Sequence, residues 1–234
     1  MTTNAYGLTA DDLDRWQLHF GVPPDQIHHD YAISRILEAM APHSEVFVFY
    51  GGTALSRTIL DGLRLSEDID LISVMRRDDT ARILDDALRF GLRSRFGTVT
   101  ATPPLTETRR DTDACVYHIG PINVQIQLIN GDDYAPWPTQ MSLINQRYSG
   151  IPEISLTTYT AAGFVAAKTS AWCERNTPRD LYDLWALSQR GFINQASADV
   201  FKKYGPTGNY PRRWRIGRGR PVGLSRRLLG PAAK

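Results

Sequence analysis

The sequence predicts an α/β protein, a small mixed sheet flanked by helices and followed by a helical C-terminal lobe, and three observations predict it. Val46-Phe47-Val48-Phe49-Tyr50 is an unbroken apolar run, rich in β-branched and aromatic residues, of the kind that forms a buried strand. It stops at Gly51-Gly52. Asp68 to Val74 then alternates polar and apolar before turning wholly apolar, as a strand does when one end opens to a cleft. From Thr157 onward the apolar residues recur at helical spacing instead.

With 234 residues, 42% of them hydrophobic, the chain is long enough to bury a core in one domain or two small lobes. The expected division is a core over residues 1–135, a helical lobe over 136–203 that completes the site, and a basic tail over 204–234. Net charge is +2, but ten basic residues and no acid fall between Lys202 and Lys234, which leaves the preceding residues at −8. Cys115 and Cys173 are far apart, no zinc pattern is present, and no apolar run is long enough to span a bilayer. A reduced, cytoplasmic setting without membrane attachment is expected.

Thr9 is placed to cap a helix over Asp11 to Phe20, with Leu13, Trp16 and Phe20 on its apolar face and Gly21 and Pro23-Pro24 closing it. Pro24-Asp25 opens a second helix to about Ala41, packed on the sheet through Ile27, Tyr31, Ile36, Leu37 and Met40. His28 and His29 are adjacent, point apart on a helix and read as surface residues. Thr53 to Leu60 reads as a short helix stopped by Gly62. Another helix starts at Asp78-Asp79 and carries Ile83, Leu84, Ala87, Leu88 and Phe90 on one face until Gly91. A short strand is expected over Thr98 to Ala101, and a charged loop over Glu107 to Asp113. Two more strands, Ala114 to Ile119 and Ile122 to Ile129, join at Gly120-Pro121; in the second, Gln125 and Gln127 lie on the polar face. A loop over Asn130 to Pro138 and an indistinct stretch to Pro152 follow. Thr157 or Thr158 is placed to cap a helix to about Arg175, and Thr177-Pro178 starts the next.

The chemistry concentrates in two places. A strand that ends in glycines at a helix start leaves backbone N–H groups facing open space, an arrangement that favours a phosphate, and Thr53 adds a hydroxyl. Strand geometry puts Asp68 and Asp70 on one face, about 6.6 Å apart, where two carboxylates can share a hard divalent cation beside a nucleotide. Taken singly, Gly-Gly after a strand is also an ordinary turn, and Asp-x-Asp a solvated strand end. In the second place, Lys168 falls within the apolar stripe formed by Ala161, Phe164, Val165 and Trp172. Such a lysine either has an anionic partner or snorkels to solvent. Asp180 and Asp183 share a helix face, and Arg179 is spaced to pair with Asp183.

Gly51-Gly52-Thr53-Ala54-Leu55 with Arg64, Ser66, Asp68, Ile69, Asp70 and Leu71 resembles the signature of the AbiEii/MenT nucleotidyltransferase toxins, a branch of the DNA polymerase β-like superfamily. Ala167-Lys168, Arg175 and Arg179-Asp180-Leu181-Tyr182-Asp183-Leu184 is similar to that family's second signature. The resemblance implies a polymerase β-like fold and an enzyme that transfers a nucleotide from an NTP to the 3′ acceptor end of tRNA, with Mg²⁺ (or Mn²⁺) as cofactor. Aminoacylation and growth would be blocked until a cognate antitoxin intervenes, and the toxin is expected to act as a monomer.

By the same likeness Asp68 and Asp70 would hold the metal, and Gly51, Gly52, Thr53, Arg64, Ser66 and Lys168 the nucleotide. Asp183 would stand by the lysine, while Arg179 and Asp180 would fix the helix. The superfamily commonly adds a third carboxylate on the neighbouring strand, where this chain offers Gln125 and Gln127; these are either weak carbonyl ligands or a polar sheet face. Transfer to a protein or small-molecule hydroxyl, or a non-catalytic RNA- or partner-binding module, are the alternatives. The basic tail would attract an RNA backbone, with Trp214 stacking on a base, or would be a solvated tail.

Overall fold

The computed structural model describes residues 6–108, 113–134 and 136–206. The expectations for Trp214 and the tail beyond Pro206 lie outside these residues, as does part of the Glu107 to Asp113 loop.

Helix α1 (Ala10–Phe20) is capped as expected: the Thr9 side chain accepts from the Asp12 backbone N–H, and Gly21 ends it in the left-handed region. Helix α2 (Pro24–Met40) has Pro at its start and buries Ile27, Tyr31, Ile36, Leu37 and Met40. Strand β1 (Phe47–Tyr50) runs straight into helix α3 (Gly51–Ser56), which is shorter than its apolar spacing suggests. Strand β2 (Asp68–Ser73) follows, then helix α4 (Arg77–Phe96). Gly91 does not stop α4. A Cβ there would come within 2.7 Å of the Ala39 Cβ, so this glycine lets α4 lie close against α2, and Gly97 ends the helix. Phe90, placed on the apolar face by its spacing, is 74% exposed.

Strands β3 (Val99–Thr102), β4 (Cys115–Ile119) and β5 (Ile122–Asn130) come next, then β6 (Thr139–Ile144) and β7 (Ile154–Tyr159). Helices α5 (Ala161–Arg175), α6 (Pro178–Gln189) and α7 (Gln195–Tyr204) complete the described chain. The caps expected at Thr157 or Thr158 fall inside β7. Thr160 caps α5 instead, accepting from the Gly163 N–H.

All seven strands form one mixed sheet, ordered β3-β4-β5-β2-β1-β7-β6. The sheet therefore continues to Tyr159, across the position where the sequence suggests a lobe boundary, and the helical part begins only at Ala161. β2 lies between β1, antiparallel to it, and β5, parallel to it. α2 and α4 pack on each other and on β5, while α5 packs on β7, α6 and α7. One continuous core joins these layers, from Leu8 to Leu187. A central position for β2 matters, because its first residue is Asp68.

Candidate active site

Asp68 and Asp70 occupy one face of β2, two residues apart. The strand register sets their surroundings: Tyr50 is opposite Asp70 on β1, Gln127 is opposite Asp70 on β5, and Gln125 is opposite Asp68. The two glutamines thus hold the sheet positions beside the acid pair. Immediately after Tyr50, Gly51 has φ +78°, a conformation that costs glycine little, and a Cβ there would overlap the Asp70 Oδ2. Asp70 therefore lies against the bare backbone of the glycine turn. A Cβ on Gly52 would stand 3.0 Å from Ser66 Oγ and 3.2 Å from Arg64 Nη2, so both side chains gather round the same turn. Thr53 differs from expectation. Its side chain is buried and its hydroxyl donates to the Asp68 carbonyl, so it ties α3 to β2 and its hydroxyl is not presented to a phosphate.

The helical half supplies two of the cations, Lys168 and Arg175. Lys168 is 7% exposed, and its Nζ lies 2.7 Å from Asp183 Oδ2 and 3.3 Å from Asp180 Oδ1, so it is ion-paired and does not snorkel. Asp183 also receives Arg64, with Nε 2.9 Å from Oδ1 and Nη2 2.8 Å from Oδ2. Asp180 receives Arg175, with Nε at 2.7 Å and Nη2 at 3.0 Å, and Thr177 Oγ1 at 2.7 Å. Arg64, Asp183, Lys168, Asp180 and Arg175 thus alternate in sign, with one positive charge in excess. This chain of ion pairs joins the segment ahead of β2 to α5 and α6. Arg179, expected to pair with Asp183, is exposed and makes no ion pair among the described residues; of the two residues expected to fix the helix, Asp180 does so.

Electrostatics tie the two halves together. Burial, and then the charge of Asp68, push Asp70 up to about 6, while Lys168 and Arg175 draw it down. Burial alone would raise Asp180, but hydrogen bonds from Arg175 and Thr177 and the charge of Lys168 bring it to about 2. Sequence reasoning missed an aromatic pair here. Tyr134 is pushed up to about 12 by burial and by the charge of Asp70, and its ring lies 5.3 Å from that of Tyr50, the residue opposite Asp70. Its loop carries no periodicity, so only the aromatic residue type could have marked it. Among the described residues no group of three or more His, Cys, Asp or Glu side chains is arranged to hold a metal ion. Asp68 and Asp70 are the acid pair available to one.

The sequence model of the family described as "Nucleotidyl transferase AbiEii toxin, Type IV TA system" matches residues 35–215. No curated protein matches the chain. A crystal structure of an antigenic nucleotidyltransferase-like protein from Paracoccidioides brasiliensis is similar over 74% of this chain and 85% of that one, at 13% identity and a TM-score of 0.45. The family match spans both halves of the site, from the glycine turn to Asp183, and the chain belongs to the AbiEii family of nucleotidyltransferase toxins of type IV toxin–antitoxin systems.

Proposed function

We propose that this toxin transfers a nucleoside monophosphate from an NTP to the 3′ acceptor end of tRNA in a Mg²⁺-dependent reaction, and that a cognate antitoxin relieves the resulting block to aminoacylation. One observation carries the reading: Asp183 shares its carboxylate between Lys168 and Arg64, which keeps Arg64 beside the Gly51-Gly52 turn and Lys168 where its charge acts on Asp70.

Asp68 and Asp70 suit Mg²⁺ chemically, since they are hard oxygen donors on one strand face and the charge of Asp68 helps raise Asp70 to about 6. A divalent cation offsets that repulsion and, when bound, supplies charge neutralisation at the phosphates and a lowered pKa at the acceptor hydroxyl. The chain's own residues do the rest. Lys168 and Arg64 bind the triphosphate charge, and the backbone at Gly51 and Gly52 approaches it without side-chain hindrance. The acceptor hydroxyl gives up its proton to solvent as its oxygen forms a bond to the α-phosphorus in line with the departing bridge oxygen, whose bond to that phosphorus breaks to release pyrophosphate.

Incubating purified protein with tRNA, Mg²⁺ and each labelled NTP in turn tests this. Label at the tRNA 3′ end is expected; label in protein or a small molecule would move the acceptor elsewhere. A second reading, a non-catalytic RNA-binding module, is favoured by one observation, that Gln125 and Gln127 hold the sheet positions beside the acid pair. On that reading Asp70→Ala leaves growth inhibition intact, whereas the enzyme reading requires its loss.

A further inference from the structure

Helix α6 has two sides of opposite character. Both of its acids, Asp180 and Asp183, are buried and turned into the chain of ion pairs at the site. Its exposed side carries Arg179, Leu181, Trp185, Ser188 and Gln189 and no acid, and exposed Arg190 follows at its end. Arg179, whose spacing marks it for Asp183, makes no ion pair among the described residues. Arg190 donates to the main-chain carbonyls of Ile59 and Asp61, neutral acceptors that leave its charge in place.

Large apolar side chains are displayed on the same side. Trp185 is 54% exposed and Leu181, one turn before it, 51%. Half-buried Tyr182 lies beside Trp185, with ring centroids 5.6 Å apart and planes 44° from parallel, so the two rings are not stacked on each other. A lone exposed apolar residue, such as Phe90 on α4, is ordinary; a tryptophan, a leucine and a tyrosine gathered on one cationic helix face form a patch.

The patch is continuous with the site. At roughly 100° per residue, Arg179, Tyr182 and Trp185 stand about 40°, 100° and 160° round the axis from Asp183, all in the same rotational sense, and each step rises about 4.5 Å. The stripe therefore starts beside the carboxylate that holds Lys168 and Arg64 and passes round to the open side of the helix.

We propose that this stripe is a track for an unpaired RNA strand, with Arg179 on a backbone phosphate and Tyr182 and Trp185 against bases, and that it leads the acceptor end to the site. The proposal rests on the reading above that the acceptor is an RNA. Charge complementarity selects the occupant: guanidiniums without a facing carboxylate suit a polyanion, and open rings among them suit bases, each of which has a π face. Duplex RNA offers the stripe its backbone only, because its bases are already stacked on one another.

The test is fluorescence anisotropy of a labelled single-stranded RNA of about ten nucleotides with the full chain, without NTP or divalent metal, beside labelled-NTP transfer to tRNA. Trp185→Ala should weaken binding about tenfold, Trp185→Phe should restore most of it, and Phe90→Ala should bind as the wild type does. Arg179→Ala should lower the slope of log affinity against log salt by about 0.7, the share of one phosphate contact, whereas Trp185→Ala keeps the slope. In the transfer assay Trp185→Ala should raise KM for tRNA more than it lowers kcat. A wild type that labels tRNA, with Trp185→Ala and Arg179→Ala matching it in affinity and salt slope, overturns the track alone and leaves this face to a protein partner. Equal binding of a duplex of the same sequence also overturns the track. A wild type that neither binds nor labels RNA overturns the track together with the reading on which it rests.

Discussion

Lys168 Nζ and Asp183 Oδ2 are 2.7 Å apart although the residues stand on different helices, and the same carboxylate accepts two hydrogen bonds from Arg64. That sharing makes the lysine removable. In Lys168→Ala, Asp183 keeps Arg64 and Asp180 keeps Arg175 and Thr177, so the fold survives while the cation proposed for the triphosphate is lost. Nucleotide incorporation should fall about a hundredfold or more, with the unfolding temperature nearly unchanged in a circular dichroism melt. Transfer at the wild-type rate would remove Lys168 from the mechanism.

Gly51→Ala should damage both stability and activity. The backbone there has φ +78°, which L side chains adopt at a cost of about 1 kcal/mol or more, and the added Cβ would overlap the Asp70 carboxylate. Gly52→Ala is milder, since its Cβ meets Ser66 Oγ at 3.0 Å and Arg64 Nη2 at 3.2 Å, both side-chain atoms able to shift. Urea unfolding should rank the two substitutions in that order.

Arg179→Ala separates local spacing from the pairing actually made. Arg179 is exposed and has no ion pair among the described residues, so the substitution should alter stability by no more than about 0.5 kcal/mol. A larger loss on denaturant unfolding would show that Arg179 holds α6 after all.

How far the sequence could be read follows from the range of the interactions involved. β1, the glycine turn and β2 were legible because an apolar run, two glycines and an alternation are local signals, and strand period alone places Asp68 and Asp70 together. Gln125 and Gln127 were legible as the polar face of β5, and parallel pairing with β2 puts them opposite the two aspartates. By contrast, β6 was hidden. It is an edge strand whose apolar Met141 and Leu143 are exposed and whose other face buries only Ile144, so no run of buried residues imposes a period. Thr157 and Thr158 looked like helix caps because cap and strand both use threonine; in the fold Thr158 bonds Ser142 across the strands at 2.7 Å. Asp183 pairs with Arg64, which is 119 residues away, and no helical spacing rule reaches that far. The cluster of Asp30, Arg57 and Arg147 is hidden for the same reason, since α2, α3 and the segment after β6 meet only in the tertiary structure.

Asp30→Asn tests that cluster. It leaves the two fully buried guanidiniums of Arg57 and Arg147 without their shared counterion and weakens the hydrogen bond from Tyr148, 2.8 Å from Oδ2. Breaking a buried pair in this one-sided way costs about 3–5 kcal/mol, a large share of the stability of an ordinary domain. The variant should unfold at a much lower urea concentration. A midpoint within error of the wild type would mean that water or another group balances the arginines.

Asp70 gives the pH dependence. Its folded value is raised to about 6 from the ordinary 3.8 by burial and by Asp68, so between those values the native state binds the proton more tightly than the unfolded chain. Its contribution therefore lowers stability as pH rises from about 4 to about 6, and is constant outside that window. Asp12, Asp30 and Asp180 are held below their ordinary values and act in the opposite sense, losing stability as pH falls. They are common to wild type and Asp70→Asn, so the difference between these proteins isolates Asp70. Without divalent metal, Asp70→Asn should match the wild type near pH 4 and exceed it in unfolding temperature at pH 7.5. Adding Mg²⁺ at pH 7.5 should narrow that gap by stabilising only the protein that keeps both carboxylates. A gap independent of pH would show that the two aspartates do not strain one another, and would take away the physical reason for a cation between them.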